Sequence, residues 1–303
     1  MSLQPSATQK SSDSPGHPDP KTPAQTRRFS SKKLLSLTAY YGILTAIAAV
    51  FLVPYVFTFF ASFKSIGQIY DEPAWVPPTS LSFTNFRYDL VDASFGRYLG
   101  NTAFVTVILT FGQVFFSILA AYAFARLKFP GRDRLFWFYL VTLMVPSIVT
   151  IIPLYTIMRL SHLLNTYWVI FLPYVFGTPY TIFLIRQFFR NIPQEIIDSA
   201  RIDGCSEGGV LRRIVVPLSK PVIVTTALIA FVFGWNNFLW PLIAINSNSR
   251  YVLTTGLAYF QSYTEVQWNQ LLAGSVITLI PLIVIFAIFQ KQIIRSIQMT
   301  QIR

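Results

Sequence analysis

The residues that could take part in chemistry are concentrated in one polar segment, residues 190–221. The segment reads RNIPQEIIDSARIDGCSEGGVLRRIVVPLSKP and combines four carboxylates with four arginines, between long apolar stretches. Carboxylates and arginines three or four residues apart pair along a helix and can bind charged partner surfaces. The segment is too polar to enter lipid and too regular for an unstructured loop, although the pattern alone leaves a generic polar loop as an alternative.

The rest of the sequence gives little support for a metal site, a disulfide or thiolate cluster, or a nucleotide-binding site. His17 lies in a low-complexity stretch and His162 in a short loop, and neither has the neighbours that a metal site needs. The single cysteine, Cys205, excludes an intrachain disulfide and a thiolate metal cluster. Because the chain has no Gly-x-x-x-x-Gly-Lys-Ser/Thr sequence, we expect no bound cofactor and no ATP hydrolysis by this chain.

Local signals predict that the polar segment begins with a short helix. Asn191 is suited to cap this helix, Pro193 to its first turn, and Glu195 to the positive end of its dipole. Asp198 and Arg201 are spaced to form an ion pair on one face. Three apolar residues are predicted to share another face: Ile196, Ile197 and Ala200.

A glycine turn and a second helix are predicted to follow. Gly204 is placed to end the first helix in the left-handed conformation, which glycine adopts without strain. Ser206 and Glu207 are typical of a helix start, and the second helix would run to Pro217. The polar segment is therefore predicted to be a helix, a turn and a helix leading into the apolar stretch after it.

The composition indicates a membrane protein. The chain has 303 residues, of which 53% are hydrophobic and 12% charged, with a mean hydropathy of +0.51. Soluble domains average about 25% charged residues. The net charge of +12 could suggest nucleic-acid binding, but the apolar runs are too long for the basic patch of a soluble nucleic-acid-binding fold.

Six stretches have the roughly 20 mostly apolar residues that a helix needs to cross a bilayer. They lie at about 34–62, 99–125, 135–158, 166–188, 222–245 and 270–289. Five of them contain proline, which membrane helices tolerate when neighbours satisfy the freed carbonyls. These prolines are compatible with helices bent around a cavity or with ordinary kinks. We therefore predict an all-α, six-span membrane protein.

Lysine and arginine are distributed unequally between the loops. They are abundant before the first stretch, after the second, fourth and sixth, and sparse in the other loops. The positive-inside rule then predicts that both termini and the polar segment are cytoplasmic. The predicted organisation is a disordered basic tail at 1–33, a membrane domain at 34–298 with the polar segment at 190–221, and a short cytoplasmic end at 299–303.

The polar segment resembles the cytoplasmic-loop signature of ABC importer permeases. That signature is Glu-Ala-Ala, three residues, Gly, nine residues, Ile, any residue, Leu, Pro. Here 198–200 stand for the first triplet, Gly204 follows after three residues, and Ile214 and Pro217 close the pattern. The segments AYAFARLKFPGRDRLF and FVFGWNNFLWPL are similar to further motifs of the carbohydrate-uptake subgroup, and the resemblance covers about residues 34–298.

The resemblance implies a permease subunit of the inner membrane, similar to the smaller permease of the maltose importer. It implies a homologous permease partner, two ATPase subunits that bind ATP and Mg²⁺, and an extracytoplasmic solute-binding protein. The loop at 64–97 is expected to face that protein, and a structural cap on the helices is the equally open alternative. It also implies that the first helix of the polar segment docks on the ATPase as a coupling helix. Its coupling residues would be Glu195, Asp198, Ser199, Ala200, Asp203, Gly204 and Pro217.

Polar and aromatic residues within the apolar stretches are candidates for a sugar pathway, because aromatic faces suit sugar C–H surfaces and amides suit hydroxyls. These candidates are Trp235, Asn236, Asn237, Trp240, Tyr174, Thr178 and Tyr180. The amides could equally cross-link helices, as buried amides do in bilayers.

Other transport functions are weaker alternatives. An ion-coupled secondary transporter would need ionisable groups within the spans, and the apolar stretches hold essentially none between their ends. A membrane scaffold without transport activity would leave the loop signature unexplained. Within importers, an acidic oligosaccharide or a glycerophosphodiester is the alternative substrate to a sugar.

Overall fold

The computed structural model describes residues 31–73, 75–260 and 266–300, and these ranges are helical with connecting turns. The predicted all-α class is confirmed. The predicted disordered tail falls on residues 1–33, of which 1–30 lie outside the described ranges. The last three residues of the predicted C-terminal end also lie outside them.

The chain divides into two units, residues 1–52 and residues 53–303. The described part of the first unit is the beginning of α1 (Ser31–Ala61), and all other helices belong to the second unit. Those helices are α2 (Ile66–Asp71), α3 (Thr84–Arg87), α4 (Phe95–Arg126), α5 (Arg132–Val141), α6 (Ser147–Leu160), α7 (Tyr167–Val175), α8 (Pro179–Arg190), α9 (Gln194–Ile202), α10 (Glu207–Val210), α11 (Val216–Leu218), α12 (Lys220–Trp235), α13 (Leu239–Ala244), α14 (Leu253–Tyr259) and α15 (Trp268–Thr300). Two π-helical turns, Tyr88–Asp92 and Leu211–Val215, and two 3₁₀ turns, Thr142–Met144 and Asn248–Arg250, complete the helical elements of the described ranges.

Four described helical stretches are long and apolar enough to cross a membrane. They are Ser36–Ala61, Phe95–Arg126, Tyr167–Arg190 and Trp268–Lys291, which correspond to the first, second, fourth and sixth predicted spans. Two further pairs of helices are bent, by 103° between α5 and α6 and by 81° between α10–α11 and α12. The described residues therefore supply four spans, or six if each bent pair crosses once.

The third, fourth and fifth predicted spans are broken in the structure, the fourth between α7 and α8. The third is predicted as one helix over 135–158, but the chain turns at Val145 and Pro146. Proline lacks an N–H and disfavours a helical conformation in the residue before it, and Val145 is extended with φ −80° and ψ 117°. The fifth is predicted over 222–245, but α12 ends at Trp235 and the chain restarts as α13.

Helix α4 is central to the second unit and packs against α7, α8 and α12. Close approach to α7 depends on Gly112, where an added Cβ would lie 3.2 Å from the carbonyl oxygen of Val175 and closer still to its side chain. Small residues allow such approach between membrane helices. Two buried apolar clusters include residues of α4. One contains Phe95 and Leu109 from its first half, and the other contains Ala121 and Tyr122 near its C-terminal end.

A cluster of buried polar side chains connects α15 to the segment between α1 and α4. The Asn85 Nδ2 donates to the carbonyls of Ser62 and Lys64 at 2.9 Å each, and the Asn85 Oδ1 accepts from Asn269 Nδ2 at 2.9 Å. The buried Lys64 Nζ pairs with Glu72 at 2.9 Å. These bonds satisfy polar groups that would otherwise be costly to bury.

Asp89, four residues after Asn85, is also fully buried, but neither oxygen of its carboxylate has a hydrogen-bond partner among the described residues. Because burial disfavours the charged form, the pKa of Asp89 is raised from 3.8 to about 8. At neutral pH the folded protein therefore keeps Asp89 mostly protonated.

We predict that Asp89→Asn removes a pH-dependent component of stability. Between pH 3.8 and about 8 the folded chain holds a proton on Asp89 that the unfolded chain has lost. The free energy of unfolding of the wild type therefore falls as pH rises across this window, and its melting temperature should fall with it. An asparagine side chain cannot ionise, so the variant should lose that part of the slope and exceed the wild type in stability above pH 8.

The matched control is Asp92→Asn, which removes an exposed carboxylate from the same turn. Its melting temperature should follow that of the wild type from pH 5 to 9. If the melting temperature of Asp89→Asn fell with rising pH as steeply as that of the wild type, a raised pKa for Asp89 would be contradicted.

Candidate functional site

The first helix of the polar segment is α9, and its boundary differs from the prediction. Asn191 does not cap α9; it is the C-cap residue of α8, and Pro193 occupies the N-cap position of α9. Proline disfavours a helical conformation in the preceding residue, Ile192, so α8 must end before α9 can begin. Glu195 lies in the first turn of α9 as predicted.

The apolar face of α9 is narrower than the sequence suggested. Ile197 and Ala200 are buried, but Ile196 is 43% exposed and Ile202 is 86% exposed. By its spacing Ile196 lies on the same side of α9 as Ala200, but only Ile197 and Ala200 of the three predicted apolar residues are buried. Ile196 near the start of α9 and Ile202 at its end are therefore both open to a partner.

The remaining predicted coupling residues lie mainly at the surface. The exposed ones are Glu195, Asp198, Ser199, Asp203, Gly204 and Pro217, while Ala200 is buried. The predicted ion pair forms, with Arg201 Nη1 at 3.1 Å from Asp198 Oδ1. Ser206 caps α10, as predicted, by accepting from the Gly209 N–H at 3.3 Å.

Gly204 ends α9 in the left-handed conformation, with φ +80°. Its N–H donates to the Arg201 carbonyl at 3.0 Å, and the next N–H, of Cys205, donates to the Ala200 carbonyl at 2.9 Å. An added Cβ at Gly204 would meet nothing within 4 Å. The glycine is therefore required by the backbone turn, and a side chain there would project into open space beside the exposed face of α9.

The last turn of α4 holds α9 in place through Arg126. The Arg126 Nη1 donates to Gln194 Oε1 at 2.8 Å, and Nη2 donates to the carbonyls of Phe189 and Ile192. Gln194 in turn donates to Asp198 Oδ1 at 2.9 Å. One guanidinium thus joins the end of α8, the turn after it and the start of α9.

A second tie joins α4 to α10. Tyr122 donates a short hydrogen bond to Glu207 Oε2, and the other carboxylate oxygen of Glu207 lies 2.8 Å from Arg201 Nη2. The apolar cluster below these ties contains Ala121, Tyr122, Ile185, Phe189, Ile197, Val210 and Val215. Sequence reasoning missed Tyr122 and Arg126, although the stretch that contains them was recognised, because no local pattern shows which distant residues they reach.

The two tryptophans among the predicted pathway residues lie in the core. Trp235 Nε1 donates to the Thr278 carbonyl at 3.1 Å, and Trp240 Nε1 donates to the Val169 carbonyl at 2.7 Å. Both side chains are buried and their polar atoms are satisfied within the chain. In this conformation they fix α12 to α15 and α13 to α7.

The two adjacent amides at the end of α12 differ. Asn236 is exposed, and its Nδ2 donates to the Val232 carbonyl of its own helix at 2.9 Å. Asn237 is half-buried, and its Nδ2 is buried without a hydrogen-bond partner among the described residues. The backbone carbonyl of Asn237 accepts from Thr254 Oγ1 at 2.7 Å, which places the amide at a fixed break between α12 and α13.

The fourth-span candidates surround the break between α7 and α8. Tyr174 packs edge-on against Phe233, with ring centroids 5.0 Å apart, and Tyr180 is 46% exposed. Thr178 is the N-cap residue of α8 and accepts from Gln113 Nε2 at 3.1 Å. Gln113 also donates to Thr181 at 2.9 Å, so an amide on α4 holds the first turn of α8.

Gln113 belongs to a polar seam on α4 that sequence reasoning missed. The seam consists of Thr106, Thr110, Gln113 and Ser117, which are spaced by four, three and four residues and so share one face. Each has a buried side-chain oxygen without a hydrogen-bond partner among the described residues. The 4-3-4 spacing was visible in the sequence, but three hydroxyls and an amide make a weak signal among many apolar residues.

The seam faces both helix breaks. A Cβ added at Gly234, one residue before the end of α12, would lie 3.2 Å from Thr106 Cγ2. A Cβ added at Gly177, between α7 and α8, would lie 2.8 Å from Ser117 Oγ. The fourth and fifth spans therefore pack closely against the seam of α4 beside their breaks.

Comparisons with known proteins agree on one family. Residues 113–299 match the family described as "Binding-protein-dependent transport system inner membrane component". The chain is 34% identical to the arabinooligosaccharides transport system permease protein AraQ of Halalkalibacterium halodurans over 221 residues, 73% of this chain and 79% of that protein. It is 32% identical to the trehalose transport system permease protein SugB of Mycobacterium tuberculosis over 262 residues, 85% of this chain and 95% of that protein.

Another relative is the sn-glycerol-3-phosphate transport system permease protein UgpE of Salmonella typhi, with 32% identity over 257 residues, 82% of this chain and 91% of that protein. The fold is similar to a chain in the crystal structure of a bacterial ABC transporter involved in the import of the acidic polysaccharide alginate. The TM-score is 0.76 at 22% identity, and the match covers 88% of this chain and 99% of that one. The predicted importer permease of the inner membrane is thus confirmed, and the chain belongs to the family of binding-protein-dependent transport system inner membrane components.

Proposed function

We propose that this chain forms half of the translocation pathway of an importer for a sugar or oligosaccharide. In the assembly that we propose, it pairs with a homologous permease, two ATPase subunits bind ATP and Mg²⁺, and an extracytoplasmic binding protein delivers the substrate. Two relatives named for sugar transport, of arabinooligosaccharides and of trehalose, support the substrate class. The hydrogen bonds by which Arg126 of α4 joins the end of α8 to the start of α9 are the observation that carries the coupling mechanism.

We infer that the exposed face of α9 docks on an ATPase subunit. This face combines the carboxylates Glu195 and Asp198 with the exposed Ile196 and Ile202, so it offers both charge and apolar area. Closure of the ATPase dimer on ATP would displace α9. Because α9 is packed and hydrogen-bonded to α4 and α8, the displacement would pass into these membrane helices rather than be absorbed in a loop.

The pathway proposal rests on polar groups at the helix breaks. Asn236, Asn237, Thr178 and Tyr180 lie at or beside the breaks of the fourth and fifth spans, and Thr178 accepts a hydrogen bond from Gln113 of the polar seam on α4. A hydroxyl-rich substrate needs such donors and acceptors along an otherwise apolar passage. Tyr174, Trp235 and Trp240 would act by shaping the wall behind these groups, since they pack within the chain.

We predict that Gly204→Asp lowers substrate-stimulated ATPase activity and transport at least roughly tenfold in the reconstituted complex. Aspartate in the left-handed conformation is strained, and its carboxylate would project beside the docking face of α9. The matched control is Gly208→Asp in α10, where the backbone is an ordinary helix and an added Cβ also meets nothing within 4 Å. Wild-type activity of Gly204→Asp in a normally assembled complex would exclude the proposed docking.

We predict that Tyr122→Phe lowers the amount of substrate transported per ATP hydrolysed. The variant loses only the hydroxyl that donates to Glu207, so α9 and α10 should follow α4 less closely while the ATPase itself stays intact. The ratio of uptake to ATP hydrolysis in proteoliposomes measures this coupling. The control is Tyr155→Phe, a half-buried tyrosine of α6 in the other apolar cluster. Equal ratios in both variants would show that the Tyr122 tie does not transmit motion.

The substrate class is tested by the ATPase activity of the assembled complex with its cognate binding protein. We expect neutral oligosaccharides to stimulate ATP hydrolysis and uptake. Stimulation by glycerol-3-phosphate compounds alone would instead favour the alternative that the UgpE relative suggests. Stimulation by a cation gradient without ATP would contradict an importer of this class.

A further inference from the structure

We propose that a basic cavity between α4, α5 and α8 binds the headgroup of an anionic phospholipid. The cavity has a volume of about 500 Å³ and lies where the last turn of α8 meets the first turn of α5, at the end of the bundle that carries the polar segment. Its charged lining consists of Arg132, Asp133, Arg186 and Arg190. The proposal depends on membrane insertion of the chain and is independent of the transported substrate.

The buried floor of the cavity is the guanidinium of Arg186. This side chain is 6% exposed, donates from Nε to the Phe124 carbonyl at 3.1 Å, and lies 3.8 Å above the Phe136 ring centroid. Its Nη2 is 3.4 Å from Asp133 Oδ1, and Nη1 has no hydrogen-bond acceptor among the described residues. A buried cation is costly unless its charge is compensated.

Compensation within the chain is incomplete. Asp133 also pairs with Arg132 at 3.1 Å, so this one carboxylate serves two arginines. Arg190 lies one turn after Arg186 on the same face of α8 and has no ion pair among the described residues. Two like charges four residues apart destabilise a helix. The cavity therefore carries two positive charges more than it neutralises, which an anion would offset.

The apolar part of the cavity distinguishes a lipid from a free anion. Trp137 and Leu140 of α5 and Phe183 of α8 also line it, one to two turns further into the span than the arginines. Trp137 is 66% exposed, and tryptophan is enriched where membrane helices meet the headgroup region. A phosphate at the arginines would thus continue into acyl chains along an apolar wall. Basic pockets between membrane helices bind anionic headgroups in this way.

The test measures binding of phosphatidylglycerol and phosphatidylcholine to the purified, assembled transporter, by native mass spectrometry and by the rise in melting temperature on lipid titration. Phosphatidylglycerol should bind more tightly than phosphatidylcholine. Arg190→Gln should weaken phosphatidylglycerol binding roughly fivefold, the contribution expected of one basic residue near a membrane surface. Arg134→Gln, an exposed arginine of α5 outside the cavity lining, is the matched control and should bind like the wild type.

Four outcomes would overturn the proposal. Equal affinity for the two lipids would remove the anionic site, and equal weakening by the two arginine variants would reduce it to a general surface charge. Protection by inorganic phosphate as strong as that by phosphatidylglycerol would assign the cavity to a free anion. Loss of a partner subunit from Arg190→Gln, with phosphatidylglycerol binding unchanged, would assign it to an acidic protein partner.

Discussion

Arg126 donates from the last turn of α4 to the side chain of Gln194 and to the carbonyls of Phe189 and Ile192. These acceptors belong to the end of α8, the turn after it and the start of α9. A single guanidinium therefore holds three consecutive segments together. Without it, two carbonyls at a helix end would lose a charged donor, and α9 would lose a direct hydrogen bond to the membrane helices. The proposed transmission of motion depends on these bonds.

The middle of α4 packs against two of the spans that are broken. Both the fourth and the fifth span are interrupted, between α7 and α8 and between α12 and α13, and interrupted backbone is expensive in a bilayer. The polar seam of α4, formed by Thr106, Thr110, Gln113 and Ser117, packs beside both breaks. The Gln113 amide bonds Thr178 and Thr181 at the start of α8, and Thr106 packs against Gly234 near the end of α12. One helix thus supports both the coupling end and the breaks that we propose as pathway.

Asp89 and Arg186 are two ionisable side chains that are buried in the second unit. Asp89 is buried without a partner among the described residues, and its raised pKa keeps it mostly neutral at pH 7. Arg186 is buried but cannot be neutralised by losing a proton, because a guanidinium stays charged in proteins. Burying a charged group is costly, and this cost is avoided in different ways at Asp89 and at Arg186. The carboxylate keeps its proton, whereas the arginine needs an anion, which we assign to lipid.

The sequence by itself determined the class, the family signature and most of the local structure of the polar segment. Apolar length specifies membrane helices, and the left-handed turn at Gly204, the Asp198–Arg201 pair and the Ser206 cap followed from local spacing. These features depend on residues within a few positions of one another, which is the range over which sequence patterns act.

Only the tertiary structure decided which distant residues meet. It placed Tyr122 and Arg126 against the polar segment, turned the third span at Pro146, and put Trp235 and Trp240 in the core. It also left Ile196 exposed, although Ala200, four residues later on the same side of α9, is buried. The physical reason is that a side chain's partner and burial depend on the packing of whole helices, and residues 63 to 85 positions apart come together here only when that packing is complete.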